Sequence, residues 1–379
     1  MVEIYYPGKL DDWKYKKPVE VGMDTKLIDE AVKWAKENEL KQSRDLLRDR
    51  TASLKAKNCD DGKILGPMKN RGPTNGLVIK NGYIVAEWGD TWQVDMTFSA
   101  TKSYIATCIG LAFDRGMIAS VHDPVKKYVT DGKFDSPHNS KITWHHLLQQ
   151  TNEWDGTLWD KHYSADAHTD ESDIVRDPEE PGIWYEYNDV RVNLIAYCAL
   201  QVLRKPLPQV LRENIMDPIG ASSTWRWHGY DNSWVLLDGQ MVQSVSGGGH
   251  WGGGLWICAR DHARFGYLLL RKGKWEDKQL ISKKWIDMCN TPGDVNPVYG
   301  YLWWLNPEHT KEKEATEKLG PGLGRYWKGL TGTPYTSFSA RGAGGNWVWV
   351  DPDDDLIVVT RWLSDPGAFI RKVLSSIKK

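Results

Sequence analysis

Net charge is almost absent from this chain. Across 379 residues, 49 Lys and Arg stand against 50 Asp and Glu, for a formal net charge of −1 at pH 7. That balance removes the electrostatic basis for holding nucleic acid or an anionic membrane surface. Long apolar runs are missing too; nothing approaches the roughly 20 residues that cross a bilayer. The opening Met-Val-Glu-Ile-Tyr-Tyr-Pro shows no basic segment followed by an apolar one. Cysteine is sparse. Cys59, Cys108, Cys198, Cys258 and Cys289 are scattered and odd in number, with no Cys-x-x-Cys. This excludes a disulfide framework and a thiolate zinc site, and reduced thiols in a cytoplasmic protein are expected. No nucleic-acid or membrane partner is expected; a homo-oligomer is left open.

Phenylalanine is also scarce, at 6 residues against 21 Trp. Trp buries a large surface and carries one N–H donor, so the excess reads as core and loop packing or as an aromatic-walled pocket. A Trp-lined groove for single-stranded nucleic acid would need the basic excess that is missing. Metal-ligand spacing is not seen. His145 and His146 are adjacent, and neighbouring helical residues point to different faces. The run Gly247-Gly248-Gly249-His250-Trp251-Gly252-Gly253-Gly254 is not a dinucleotide fingerprint, because no βαβ pattern surrounds it. Neither a metal nor a cofactor is expected.

What is present is ordinary for a soluble globular enzyme: 40% hydrophobic and 26% charged residues. Asp24 opens a helical pattern with Leu27, Ile28, Ala31, Val32 and Ala35 on one side. Residues 41–73 are polar and read as a long loop. The runs 76–80 and 83–88 flank Asn81-Gly82, the pair that favours a type I′ hairpin turn. Residues 116–245 read as helix and loop, with apolar runs at 142–148 and 190–203, and 261–270 continues the helical reading. Residues 307–325 read as an exposed insertion. The runs 346–350 and 356–360 flank a loop at 351–355, and a last helix carries Phe369, Ile370, Val373, Leu374 and Ile377. Strands and a helix at both ends suggest one antiparallel sheet built from both termini, with a second, all-helical lobe between. No internal repeat is seen.

The most informative feature is Ser99 with Lys102. They stand at the start of an apolar helical run that passes Ile105, Cys108, Ile109 and Phe113 and stops at Arg115-Gly116. Positions three apart share a helix face, so the lysine amine can reach the serine hydroxyl. The helix N-terminus favours negative charge developing there. The pattern alone is weak, since Ser375/Lys378 and Ser376/Lys379 also match on a solvated helix end. A serine nucleophile needs an adjacent base, and a lysine can act with a tyrosine. Downstream, Pro181-Gly182 leads into Trp184-Tyr185-Glu186-Tyr187-Asn188-Asp189, and a helical run follows.

In these motifs the chain resembles the serine β-lactamase-like superfamily, in its class C and esterase branch. There a Ser-x-x-Lys helix start is followed by Pro-Gly-x-x-x-x-Tyr-x-Asn. Tyr187 matches the tyrosine; Asp189 stands where Asn or Ser is usual. Tyr230-Asp231-Asn232 is a literal Tyr-x-Asn and a competitor, and Tyr185 is the nearer rival. The third family element, Lys/His-Thr/Ser-Gly, aligns with Ala340-Arg341-Gly342, followed by Ala343-Gly344-Gly345, so the basic first residue is missing. Gly89-Asp90, Leu147 to Thr151, the glycine run and Ala259-Arg260-Asp261 look most like 6-aminohexanoate-dimer hydrolase-like serine hydrolases.

The resemblance implies an α/β fold of the α+β type, β-lactamase/transpeptidase-like, as a single domain over 1–379. Its α/β lobe would be about 1–115 and 255–379, and its helical lobe about 116–254. It implies hydrolysis of an amide or ester bond of a small molecule through an acyl-enzyme on Ser99. Lys102 and Tyr187 would serve as general base and acid, and the amides of Ser99 and Ala343 as oxyanion hole. Asp189, His250, Trp251, Gly342 and Gly344 would bind substrate. A bland alternative exists for each: a surface lysine, a satisfied buried tyrosine, a glycine turn before a hairpin, a histidine that fixes loops. A DD-peptidase or β-lactamase is a second reading, and a catalytically silent binding or scaffold protein is a third.

Overall fold

The computed structural model of the chain describes residues 4–56, 62–166, 177–308 and 329–378. Cys59 and nearly all of the expected 307–325 insertion lie outside them. Helix α1, Thr25–Glu37, starts where the sequence places it, with the Asp24 side chain accepting from the Leu27 amide at 3.1 Å. Ile28, Ala31 and Ala35 form its buried stripe. Helix α2, Leu46–Ala56, occupies the stretch expected to be a loop. Among its described side chains, only Leu46 and Leu54 are buried. Two apolar positions eight apart give little periodic signal among charged neighbours.

Strands β1 (Asn75–Lys80) and β2 (Tyr83–Trp88) form the expected hairpin, with φ of 53° at Asn81 and 85° at Gly82. Strand β3, Asp95–Met96, precedes the turn that carries Ser99. Helix α3, Thr101–Asp114, is buried on all sides along most of its length and lies at the centre of the molecule. Helix α4 is Trp144–Gln149 and helix α5 is Asp189–Leu203. Two strands then follow in the region expected to be helix and loop: β4, Arg226–Leu237, and β5, Gln240–Val245. Their pairing shifts register between Gly229 and Trp234. That irregularity breaks the period-2 alternation by which a strand is recognised. So the middle of the chain carries a β-hairpin beside its helices.

Strand β6, Gly254–Ile257, feeds helix α6, Ala259–Leu270. The chain ends with β7 (Trp304–Leu305), β8 (Phe338–Gly342), β9 (Asn346–Asp351), β10 (Leu356–Arg361) and helix α7 (Pro366–Ser375). Six strands form one antiparallel sheet in the order β7-β8-β9-β10-β1-β2, so both ends of the chain meet in it. The strands alternate faces as their period requires. Val78, Trp349 and Val358 pack under α1 and α7 with Ile28, Phe369 and Ile370. Leu77, Val348, Val350 and Ile357 face the main core with α3 and α6. A second sheet runs β3-β6-β4-β5. Cys108, Cys198, Cys258 and Cys289 are buried free thiols, and no described helix is long and apolar enough to cross a membrane.

Candidate active site

Ser99 lies in a single 3-10 turn, Phe98–Ala100, wedged between β3 and α3. It therefore sits just ahead of the α-helix and not inside its first turn. Phe98 takes a positive φ of 47°. A non-glycine residue there costs on the order of 1–3 kcal/mol, and surrounding packing must hold it. That packing is a small core of Leu46, Met96, Phe98 and Trp362. From α6, His262 bonds Thr97 Oγ1 with Nε2 and Tyr104 Oη with Nδ1, both at 2.8 Å, and burial pulls its pKa well below the usual imidazole value. Arg361 on β10 donates to the carbonyls of Met96 and Ile257 and to Asn346 Oδ1. These buried side chains fix the turn from behind.

Lys102, 1% exposed, donates from Nζ to Ser99 Oγ at 2.8 Å and to Asp189 Oδ1 at 2.7 Å, with the Gly247 carbonyl at 3.5 Å. The amine is thus fixed between the serine hydroxyl and a buried carboxylate. Asp189 is the first residue of α5, where a carboxylate is favoured by the helix dipole. Asn188 caps that helix through the Arg191 amide at 3.0 Å, and Tyr187 comes immediately before the cap. The Lys102 ammonium lies 4.8 Å from the Tyr187 ring centroid. Tyr187 stacks on Trp304 at 5.7 Å and meets Tyr299 edge-on at 6.1 Å. Gln150 binds this corner together, accepting from the Asn188 amide and donating to the Tyr299 hydroxyl.

The other oxygen of Asp189 accepts from the His250 amide at 3.1 Å. His250 Nε2 lies 3.0 Å from Asp166 Oδ1, and Asp166 also accepts from the Asp189 amide. Among the described residues, Asp166, Asp189 and His250 form the one group with the composition and spacing of a metal site. Here those atoms are engaged with Lys102, with the backbone and with one another. The glycine run makes the approach feasible: a Cβ on Gly249 would sit 1.8 Å from Asp189 Oδ2.

On the far side of the turn, β8 ends against the segment that carries Ser99. A Cβ on Gly342 would fall 2.0 Å from the Thr97 carbonyl, so only glycine lets the strand this close. Ala343 follows it and is exposed. Ala340 is buried in the main core, while Arg341 lies on the opposite face between Trp304 and Trp347, as strand alternation requires. Burial pushes the Arg341 guanidinium down to about 10.

The expected residues do not all share one surface. Ser99, Lys102, Tyr187, Asp189 and His250 come together, with Gly342 and Ala343 on the other side of the turn. Trp251 is buried behind His250, and its carbonyl accepts from the Leu65 and Gly66 amides. Gly344 backs onto the Trp362 ring. Of the rival tyrosines, Tyr230 is buried with its hydroxyl accepting from Asn193 at 3.0 Å, and burial raises its pKa. Tyr185 is buried against Tyr299. Asp166, Gln150, Tyr299 and Trp304 were not found from the sequence. The aromatic stretch from Tyr299 to Trp304 was the available signal for two of them.

Comparisons with known proteins bear on the family and the fold. A family model described as Beta-lactamase matches residues 78–368. An uncharacterized protein of Alkalihalophilus pseudofirmus is 25% identical over 277 residues, covering 65% of this chain and 74% of its own length. Two solved structures are alike in fold. A beta-lactamase from Mycobacterium bovis has a TM-score of 0.53 at 19% identity, over 87% of this chain and 100% of its own. A family VIII carboxylesterase has a TM-score of 0.52 at 18% identity, over 87% and 95%. The family match runs from within β1 to the start of α7 and takes in the whole of the six-stranded sheet except part of its first strand. On that ground the chain belongs to the beta-lactamase family, with a β-lactamase/transpeptidase-like fold.

Proposed function

We propose that the protein is a serine hydrolase that cleaves an amide or ester bond of a small molecule through an acyl-enzyme on Ser99. The observation that carries this is the 2.8 Å hydrogen bond from buried Lys102 to Ser99 Oγ at the head of a central helix. Ser99 Oγ attacks the substrate carbonyl carbon. Tyr187, assisted by the Lys102 ammonium, takes its proton and hands it to the leaving alkoxide or amine as the carbonyl–heteroatom bond breaks. Water, deprotonated through Tyr187, then attacks the acyl ester and restores the Ser99 hydroxyl. The amides of Ser99 and Ala343 receive the oxyanion in both steps. Asp189 holds the lysine amine in place, and His250, Gly342 and Gly344 border the substrate or the turn that supports it. The likeness in fold to a carboxylesterase is compatible with ester substrates. A cytoplasmic site of action belongs to the same reading.

The test is covalent labelling. A fluorophosphonate should add its mass to the peptide containing Ser99, and Ser99→Ala should remain unlabelled. Equal labelling of the two would overturn the mechanism. No labelling of either would favour a binding protein on the same fold.

A further inference from the structure

Helix α2 lies across the nucleophile turn. Leu46 packs on Phe98, the residue before Ser99, within the small core. One helical turn on, the Arg50 guanidinium carbon lies 4.8 Å from the centre of the Phe98 ring. Arg50 is half-buried, and its Nε is enclosed without a hydrogen-bond partner. No carboxylate among the described residues pairs with it. Burial depresses its pKa, and the anions that act on it through space are Asp49 and Asp189. Both are already engaged: Asp49 accepts from Gln42, and Asp189 holds Lys102 and the His250 amide. A phenyl face does not satisfy a guanidinium, which has five N–H donors in a fixed fork. Only Nε is enclosed; the terminal nitrogens of the half-buried fork keep contact with solvent. They are therefore open to an anion beside the turn that carries the proposed nucleophile.

We infer that Arg50 is the anion-recognition residue of this site, and that the substrate carries a carboxylate that it receives as the scissile carbonyl reaches Ser99. A single guanidinium fork matches one carboxylate through two parallel N–H···O bonds. The substrate class is therefore a small ester or amide bearing a free carboxylate, such as a dicarboxylic acid hemiester. This inference rests on the hydrolase reading above, and its test has two arms so that the two can fail separately.

The first arm compares p-nitrophenyl hemiglutarate with p-nitrophenyl valerate on the full chain. The parent should prefer the hemiglutarate in kcat/KM. Arg50→Gln should lower the hemiglutarate-to-valerate ratio by about ten- to a hundredfold, the range for a lost charge-assisted hydrogen bond. The loss should appear mainly in KM, and Arg50→Lys should restore part of it. An unchanged ratio in Arg50→Gln overturns the inference. The second arm needs no turnover. Ser99→Ala should bind monomethyl glutarate by calorimetry, and adding Arg50→Gln should weaken binding at least about tenfold. If the parent hydrolyses neither ester, the hydrolase reading fails and this arm alone decides on Arg50. Absent binding, or binding that the added substitution leaves unchanged, refutes the anion site.

Discussion

Ser99 and Lys102 reach each other across one turn of continuous chain, whereas Asp189, Asp166 and His250 meet from three separate segments. The first pair depends on helix geometry and on a turn braced from behind by His262 and Arg361. The second group depends on close backbone approach, with glycine at 249 leaving room for the Asp189 carboxylate. Lys102 belongs to both, since its amine joins Ser99 to Asp189. The Ser99–Lys102 contact is therefore local in origin, while the charge environment of the lysine is set by distant parts of the chain. A substitution in either half should reveal how far the two depend on each other.

The largest expected effect falls on the shared ion pair. Lys102 and Asp189 are 1% and 6% exposed. Removing one partner of a buried pair leaves the other charge uncompensated, at about 3–5 kcal/mol. Asp189→Ala should therefore lower the thermal midpoint strongly and abolish turnover. A midpoint near the parent's would mean that water reaches the lysine, and that the two halves are less coupled than the geometry implies.

Tyr187 comes next. Tyr187→Phe should reduce kcat at least about a hundredfold with a smaller change in KM, as expected for a lost general base. Tyr230→Phe should be mild, because that hydroxyl is already engaged by Asn193. The reverse pattern would move the base to Tyr230, and with it the weight of the site toward the glycine loop.

The same division explains what could be read in advance. Ser99 and Lys102 are three apart on one continuous turn of chain, so their spacing marks them in the sequence. The Asn81-Gly82 turn and the Asp24 cap are equally local and equally legible. Tyr187 stood out through its Pro-Gly lead. Asp166 is placed by tertiary contact and no neighbouring residues mark it, whereas Trp304 lies in an aromatic stretch whose role only the tertiary contact with Tyr187 reveals. Helix α2 was missed because packing at Leu46 holds it where periodicity is weak, although Asp45 does cap it through the Arg48 amide. The β4–β5 hairpin was missed where its register shift scrambles the alternation.

Gly249→Ala probes the far half by itself. The new methyl would overlap Asp189 Oδ2, whose carboxylate cannot turn away without leaving Lys102. Overpacking of this kind costs typically about 1–3 kcal/mol. The variant should lose about tenfold in kcat/KM, equivalent to roughly 1.4 kcal/mol, and melt a few degrees lower. Full activity would show that the loop can retreat without disturbing the ion pair.

The smallest effect is a pH dependence in the near half. His262 is buried between Thr97 and Tyr104 on one side and lies within reach of the Arg361 cation, so burial first and that charge second depress its pKa well below the usual value. In the unfolded chain the imidazole titrates near about 6.5. Below that pH the unfolded state takes up a proton that the folded state refuses. Stability is thus fully present above about pH 6.5 and is lost as pH falls, by at most about 1.4 kcal/mol per unit until the folded value is reached. Glutamine can offer a donor and an acceptor in place of the ring but does not titrate. His262→Gln should melt below the parent at pH 8, and the gap should narrow steadily toward pH 5. Because His262 braces Thr97, fluorophosphonate labelling of Ser99 in the parent should weaken over the same interval as the midpoint falls. A gap that stays constant between pH 8 and pH 5 would show that His262 carries no such linkage, and would leave Arg361 and the Phe98 packing as the supports of the near half.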